Sequence, residues 1–454
     1  MSAVRCVLRA TLALYFLAVM GCANHAAPAV ANAPMNVSAP AVEQSRTSRA
    51  GGWADVDSPV VGGAGARPEH IYRVRNRNEL ASALGDSARR ASFDAEKIIY
   101  VEGEIDLSVD ANNRPLHEED YRDPEFSWDE YAKAFHPATW GKSAPAGPQE
   151  DARRRSAQRQ GAVVVLHVGS NTSLIGVGPR PLIKNGSLMV KDAHNVIIQN
   201  LAFEDAYDYF PLWDPKDNAD GEWNSEYDNV TLYNARRVWI DHCTFSDGAR
   251  PDHMSRWLFN RPMQFHDGLL DIVRGSDRIT VSNSHFRNHD KGLLIGNSDN
   301  RADDDGKLRV TMHHNWFENV RARSPRVRYG RVHVFNNLYT ASPGADYGYD
   351  YSIGVGFSSR VIAEANVFDV RGKTAPVIFK RWRGNRIDAR GNRFAANIDG
   401  ADIDASTMLQ NQSGGAVTSD VGWTIPYTYS LDDVRIVEQR VRSGAGVKRA
   451  PSTP

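Results

Sequence analysis

The chain has 454 residues, of which 41% are hydrophobic and 24% charged, enough apolar mass for a packed core and outside the range of a disordered chain. Its 54 basic and 55 acidic residues give a formal net charge of -1, which argues against a protein that coats nucleic acid along its length. Three cysteines, Cys6, Cys22 and Cys243, are too few for a disulfide scaffold or a zinc ribbon.

At the N-terminus, Arg5 and Arg9 precede an apolar run over residues 10–20 that is too short to span a bilayer. A basic start followed by a short apolar stretch reads as an export signal over residues 1–22. A small residue then Cys22 resembles a bacterial lipoprotein box, with Cys22 lipidated after cleavage; the alternative is an ordinary signal cut near residues 23–27. Either reading places the mature protein outside the cytoplasm, secreted or on the cell envelope. Residues 23–65, rich in Ala, Pro, Ser, Asn and Gly, read as a flexible linker, and residues 443–454 as a disordered tail. The folded domain is expected over residues 66–442.

Within that domain a short β-branched stretch ending in an aromatic recurs at 195–203, 237–245, 278–286, 309–317, 331–339, 360–368 and 386–394. The closing aromatics are Phe203, Phe245, Phe286, Phe317, Tyr339, Phe368 and Phe394, spaced by 42, 41, 31, 22, 29 and 26 residues. A minimum repeat near 22 with variable insertions predicts an all-β fold, a right-handed parallel β-helix with long loop insertions. A β-sandwich or bladed fold is the alternative, and the scarcity of Asn-Gly hairpin signals speaks against it. Asn315, Asn337, Asn366 and Asn392 each sit two residues before a closing aromatic. Asparagine tolerates a left-handed backbone and bonds its own chain, so stacked coils would align these four into a ladder. Cys243 lies in an apolar repeat and reads as a buried small hydrophobe. Residues 106–160 interrupt the pattern and are expected to form a long insertion with short helices.

Glu226 and Asp228 open an apparent strand and would share a face, with Asp267 and Asp271 one repeat later. Carboxylates converging on one sheet face repel unless a cation neutralises them, and hard oxygen ligands favour calcium or magnesium. A solvated acidic surface is the plainer reading. His242, His266, His289, His313 and His314 lack helical zinc spacing and read as packed or hydrogen-bonding side chains. Arg321, Arg323, Arg326, Arg328 and Arg331 fall within eleven residues, with Lys291 one repeat earlier. Arginine grips carboxylates bidentately, so this strip suits a polymer bearing many carboxylates; nucleic acid is the competitor, weakened by the export signal.

Four stretches, 223–230, 238–242, 266–271 with the Lys291 segment, and 323–337, together make the sequence resemble the pectate lyases of polysaccharide lyase family 1. The resemblance implies a parallel β-helix acting on pectate (polygalacturonate) with Ca2+ as cofactor. It implies Asp228, Asp267 and Asp271 as calcium ligands, Arg323 as the catalytic base, and Lys291 and Arg328 as binders of substrate carboxylates. Glu226 matches a position that is acidic in some members. The reaction expected is β-elimination on α-1,4-linked galacturonate, leaving 4,5-unsaturated ends, with an alkaline optimum. A monomer is expected. The sequence motifs of hydrolytic polygalacturonases are absent, and the three aspartates argue against a calcium-independent lyase of methylated pectin.

Overall fold

Each repeat packs its β-branched residues at alternate positions, and such a strand buries one face only if a neighbour supplies the same pattern beside it. The computed structural model, which describes residues 49–85, 94–371, 376–410, 412 and 415–448, solves this by stacking the repeats in parallel. Val196, Val238, Ile279, Val310, Val332, Val361 and Ile387 occupy one register line across successive coils. All seven are buried at 2% exposure or less. At about 25 cal/mol per Å2, lines of this kind supply most of the apolar stabilisation.

Among the described residues, 24 of the strands form one hydrogen-bonded system, wound into three faces. The first face includes Ser187–Lys191, Val230–Tyr233, Gly268–Val273, Arg326–Val327, Ile353–Gly356 and Phe379–Trp382. The second includes His194–Gln199, Arg236–Asp241, Asp277–Ser282, Arg309–His313, Arg331–Phe335, Arg360–Glu364 and Ile387–Arg390. The third carries the closing aromatics. The strand His285–Ile295 bends from the third face onto the first, pairing with Trp316–Ala322 at its start and with Gly268–Val273 at its end. This is the parallel β-helix expected from the repeat.

The closing aromatics stack along the third face with ring centroids 5.2, 4.8, 5.0, 4.9 and 4.5 Å apart from Phe203 to Phe368. That is the strand spacing of about 4.8 Å, so the stack follows from the register. The asparagine ladder also forms. Asn315 donates to Asn337, Asn337 to Asn366, and Asn366 to Asn392, at 2.8–3.0 Å and with all four fully buried. The left-handed residue of each corner is the one just before the ladder: His314, Asn336, Ala365 and Gly391 have φ of 55°, 51°, 50° and 64°. The ladder asparagines therefore satisfy the corner's backbone groups while their predecessors make the bend.

Two expectations are corrected at the ends. Residues 49–65 do not behave as linker. Trp53, Ala54 and Val60 are buried on the outer side of the second face, where Ala50, Ala54 and Val60 cover Ile197 and Trp239. The Trp53, Ala54 and Gly63 amides donate to Thr311, Thr280 and Ser173 at 2.9–3.1 Å. Their small residues permit this close approach. Likewise the tail is in contact up to 448: after the helix Val434–Gly444, which packs Val437 and Val441 on Leu338 and Val367, the amides of Gly446, Val447 and Lys448 donate to Asn283, Thr244 and Asn200. The export signal 1–22, Cys22, linker residues 23–48 and tail residues 449–454 lie outside the described residues. Among those described, no helix is long and apolar enough to cross a membrane.

The insertion forms the helices Glu118–Tyr121, Trp128–Ala134, Pro137–Trp140 and Pro148–Val164. It builds a second apolar cluster in which Tyr121, Phe126, Trp128, Tyr131 and Phe135 meet Phe210, Trp213, Trp223, Tyr227 and Phe265. Its basic run is internally paired: Arg153 is buried against Glu150 at 2.8 Å, and Arg155 holds Asp123 at 2.8 Å. Cys243 is fully buried, as expected of a small hydrophobe.

Candidate active site

With the second face covered by the N-terminal segment, charged side chains gather on the first face. Along one outward register line lie Thr231, Asp271, Leu294, Arg326, Gly354 and Lys380. The inward partners Leu232, Leu270, Ile295, Val327 and Val355 fill the core.

Asp228 is buried just ahead of the strand Val230–Tyr233, not within it, and Glu226 is exposed, so the two acids do not share a strand face. Asp228 Oδ2 accepts the Thr231 hydroxyl at 2.7 Å, and Oδ1 accepts the Gly268 amide at 2.8 Å. Asp271 Oδ1 accepts the Leu294 amide at 3.3 Å. A Cβ placed on Gly268 would lie 2.7 Å from Asp271 Oδ1 and 2.8 Å from Asp228 Oδ1. The glycine thus lies against two carboxylate oxygens, a close approach only a residue without Cβ allows. Asp267, half-buried, forms an ion pair with Lys291 Nζ at 2.8 Å.

The electrostatics follow from this crowding. Burial, with Asp271 and Asp267 beside it, pushes the Asp228 carboxyl well above its usual range. Burial and the Asp267 charge push Asp271 up to about 7. For Asp267 the burial cost is outweighed by Lys291, with Arg323 and His289 helping, so its carboxyl is held low. Asp267 and Asp271 raise the proton affinity of Asp228, and Asp267 raises that of Asp271, so the cluster is short of positive charge at those two carboxyls. Their donors are hard oxygens, the set that suits a calcium-sized cation, and one oxygen each of Asp271 and Asp228 lies within 2.8 Å of where a Gly268 Cβ would stand. On that observation the residues fit the ion.

Arg323 lies at the corner between Trp316–Ala322 and Arg326–Val327 with φ of 60°. Its carbonyl accepts the Leu293 amide at 2.5 Å, which ties the corner to the Lys291 strand. Its half-buried side chain lies within electrostatic range of Asp267, Asp271 and Lys291, and among the described residues no group bonds its guanidinium. Arg328 is placed differently: its Nε donates to Asp299 at 2.7 Å and Nη1 to the Gly296 carbonyl at 2.9 Å, leaving its remaining donors for a ligand. Arg326 stacks on Trp382 at 4.1 Å, and burial together with Arg328 pulls its guanidinium down to about 10. Arg321 pairs with Asp290 at 2.8 Å. Arg331 has no side-chain ion pair among the described residues.

The sequence matches a family profile described as Pectate lyase over residues 147–450. The pectate lyase of Bacillus subtilis (strain 168) is 41% identical over 396 residues, 87% of this chain and 91% of that one. The chain belongs to the pectate lyase family. It is a polysaccharide lyase with the parallel β-helix of its relatives. Pectate lyase E of Dickeya dadantii is 33% identical over 87% of this chain and 85% of its own. A solved pectate lyase bound to hexasaccharide superposes with a TM-score of 0.82 at 41% identity, covering 87% of this chain and 96% of that one. A thermostable pectate lyase superposes with a TM-score of 0.84 at 42% identity, covering 88% and 97%.

The histidines are hydrogen-bonded as expected: His242 to Asp241, His314 to Asp432, and His313 to His314. His266 bridges Asp205 at 2.9 Å and Asp252 at 3.0 Å. Asp247, Asp252 and His266 form the one trio of metal-capable groups within 4.8 Å of one another among the described residues. There, burial of His266 is overridden by Asp247, Asp205 and Asp252, which push its imidazole up to about 10. A protonated imidazole donates from both nitrogens and has no lone pair for a metal, so it is itself the cation of that cluster. The sequence reading missed the roles of Thr231, Asp299 and Gly268. Only Thr231 had a local signal, an acid and a hydroxyl three residues apart at the start of a strand.

Proposed function

We propose that this lyase cleaves α-1,4-linked polygalacturonate by calcium-dependent β-elimination, leaving 4,5-unsaturated galacturonate ends. The observation that carries the reading is the convergence of Asp228 and Asp271 oxygens on Gly268, beside the Asp267–Lys291 pair and the unbonded guanidinium of Arg323. Asp228, Asp267 and Asp271 would hold the ion. When bound, calcium supplies positive charge at the substrate carboxylate and so stabilises charge that develops when the neighbouring C5 proton leaves. Lys291, already close to Asp267, adds positive charge on that side and orients the ring. The free donors of Arg328 reach a second carboxylate of the polymer.

Arg323, its guanidine transiently neutral after giving a proton to solvent, takes the C5 proton. The electron pair of the C5–H bond becomes the C4–C5 double bond, the C4–O bond breaks with its pair going to oxygen, and that oxygen takes a proton from solvent as the new chain end forms. Guanidinium groups as a class hold their proton to about pH 12, so alkaline conditions favour a base of this kind. Pectate as substrate is further supported by the Bacillus and Dickeya relatives and by the hexasaccharide-bound neighbour.

The leader, with Cys22 as the lipid attachment point where the lipoprotein route is taken, would carry the enzyme out of the cytoplasm to its polymer as a monomer. The deciding experiment follows ultraviolet absorbance on polygalacturonate at mildly alkaline pH, with calcium and then with chelator. A rise that chelator abolishes is expected. New reducing ends without absorbance would mean hydrolysis and overturn the mechanism.

A further inference from the structure

We propose that His289 is a positioning residue for the site: it fixes Asp267 from beneath, through the backbone, and thereby sets the affinity of the acid cluster for calcium. The inference rests on the calcium reading above.

His289 and Lys291 lie two residues apart on the strand His285–Ile295 and share a face. Lys291 takes the Asp267 carboxylate at 2.8 Å. His289 Nε2 lies 2.7 Å from the Asp267 carbonyl oxygen, to which it donates. One strand therefore grips one aspartate twice, by side chain and by backbone. The rest of that peptide is tied as well. The Asp267 amide donates to the Tyr227 carbonyl at 3.2 Å, and the Gly268 amide to Asp228 Oδ1 at 2.8 Å. Asp267 opens the strand Gly268–Val273 at the end of a long loop. Without the His289 bond its carbonyl would be the one free group in the peptide that joins Asp267 to the Asp228–Gly268–Asp271 pincer.

What holds His289 is equally specific. Its Nδ1 donates to Asp247 Oδ1 at 2.5 Å, and His289 and Asp247 are 1% and 2% exposed. The other Asp247 oxygen accepts the Tyr347 hydroxyl, and the Asp252 amide donates to the same hydroxyl at 2.8 Å. The chain of bonds thus runs from the loop after Leu338–Ala341, through Tyr347, Asp247 and His289, to Asp267. Outer partners that fix a ligand in this way typically govern metal affinity by about 10- to 100-fold.

Two variants of the full chain separate positioning from packing. An asparagine amide nitrogen overlays imidazole Nδ1, so His289→Asn keeps the bond to Asp247 and loses the one to Asp267. A glutamine amide nitrogen overlays Nε2, so His289→Gln does the reverse. Calcium affinity is read by calorimetry in the absence of pectate, beside the melting temperature without calcium. His289→Asn should bind calcium about 10- to 100-fold more weakly, while His289→Gln stays close to wild type. Equal affinity in all three proteins overturns the inference, and so does an equal loss in both variants, which would mean packing alone. A wild-type protein that takes up no calcium overturns the calcium reading itself, and this inference with it.

Discussion

Gly268→Ala tests the acid cluster with a single methyl group. The new Cβ would stand 2.7 Å from Asp271 Oδ1 and 2.8 Å from Asp228 Oδ1, both closer than real Cβ atoms come to anything. Each oxygen must therefore retreat by at least a few tenths of an ångström, more than the tolerance of about 0.2 Å on metal–ligand distances. The fold should survive. Gly268 opens a strand and lies outside the left-handed region. Alanine there also restricts the unfolded chain, worth about 0.4–1 kcal/mol, which offsets most of an overpacking cost of about 1 kcal/mol. The loss falls on calcium: affinity weaker by about 10- to 100-fold, or about 1.4–2.7 kcal/mol. Calorimetry gives the affinity directly, and absorbance rates on polygalacturonate across a calcium series should shift to higher calcium. An alanine variant with wild-type calcium affinity would show that Asp228 and Asp271 do not bind one ion between them.

Arg323→Lys should cut the elimination rate by about 10²–10⁴-fold with its melting temperature unchanged, since among the described residues no group bonds its guanidinium; near wild-type absorbance rates would remove it as the base. Asn337→Ala removes three donated bonds, to Met312, Phe335 and Asn366, and strands the Asn315 amide, all in a fully buried ladder. It should cost about 3 kcal/mol or more, seen in denaturant unfolding, and a loss within error would deny the ladder its structural weight. Asp208, 1% exposed, has its carboxyl pushed up to about 6 by burial, although it accepts the Phe210 and Glu226 amides. A carboxyl whose folded pKa exceeds its unfolded value binds its proton more tightly when folded. Its contribution is therefore complete below about pH 4 and lost as pH rises through 6, about 3 kcal/mol in all. Asp208→Asn should flatten the melting-temperature profile over that window, and an unchanged profile would reject the assignment.

The coil repeat was legible because its signal is local. A β-branched stretch, an asparagine and an aromatic recur at fixed offsets, and parallel stacking turns each offset into a line of contacts. The acids, Lys291 and Arg323 were legible through their resemblance to a family, and they do meet on one face. Two readings failed, each for its own reason. Residues 49–65 are rich in small residues, a composition shared by linkers and by segments that lie flush on a sheet. A Cβ on Gly52 would stand 2.6 Å from the Thr311 side chain, so here glycine marks close contact, not freedom. Glu226 and Asp228 looked like strand partners, but the strand begins at Val230, and the chain before it is bent by the Glu226 amide bonding Asp208.

The amino-acid sequence alone determines the class of fold, the ladder and the aromatic stack, since each depends on short-range periodicity, and it offers the residues of the site through their resemblance to a family. Tertiary structure alone decides which acids press on one another, how Asp299 engages Arg328, and that His289 reaches the Asp267 carbonyl. Apart from Asp267 and Asp271, four positions apart, those relations join residues 22 to 43 positions apart by subtraction of their numbers. Coil lengths and loop insertions set which of them fall on neighbouring rungs, and proximity and burial, on which charge interactions depend, exist only once the coils are stacked.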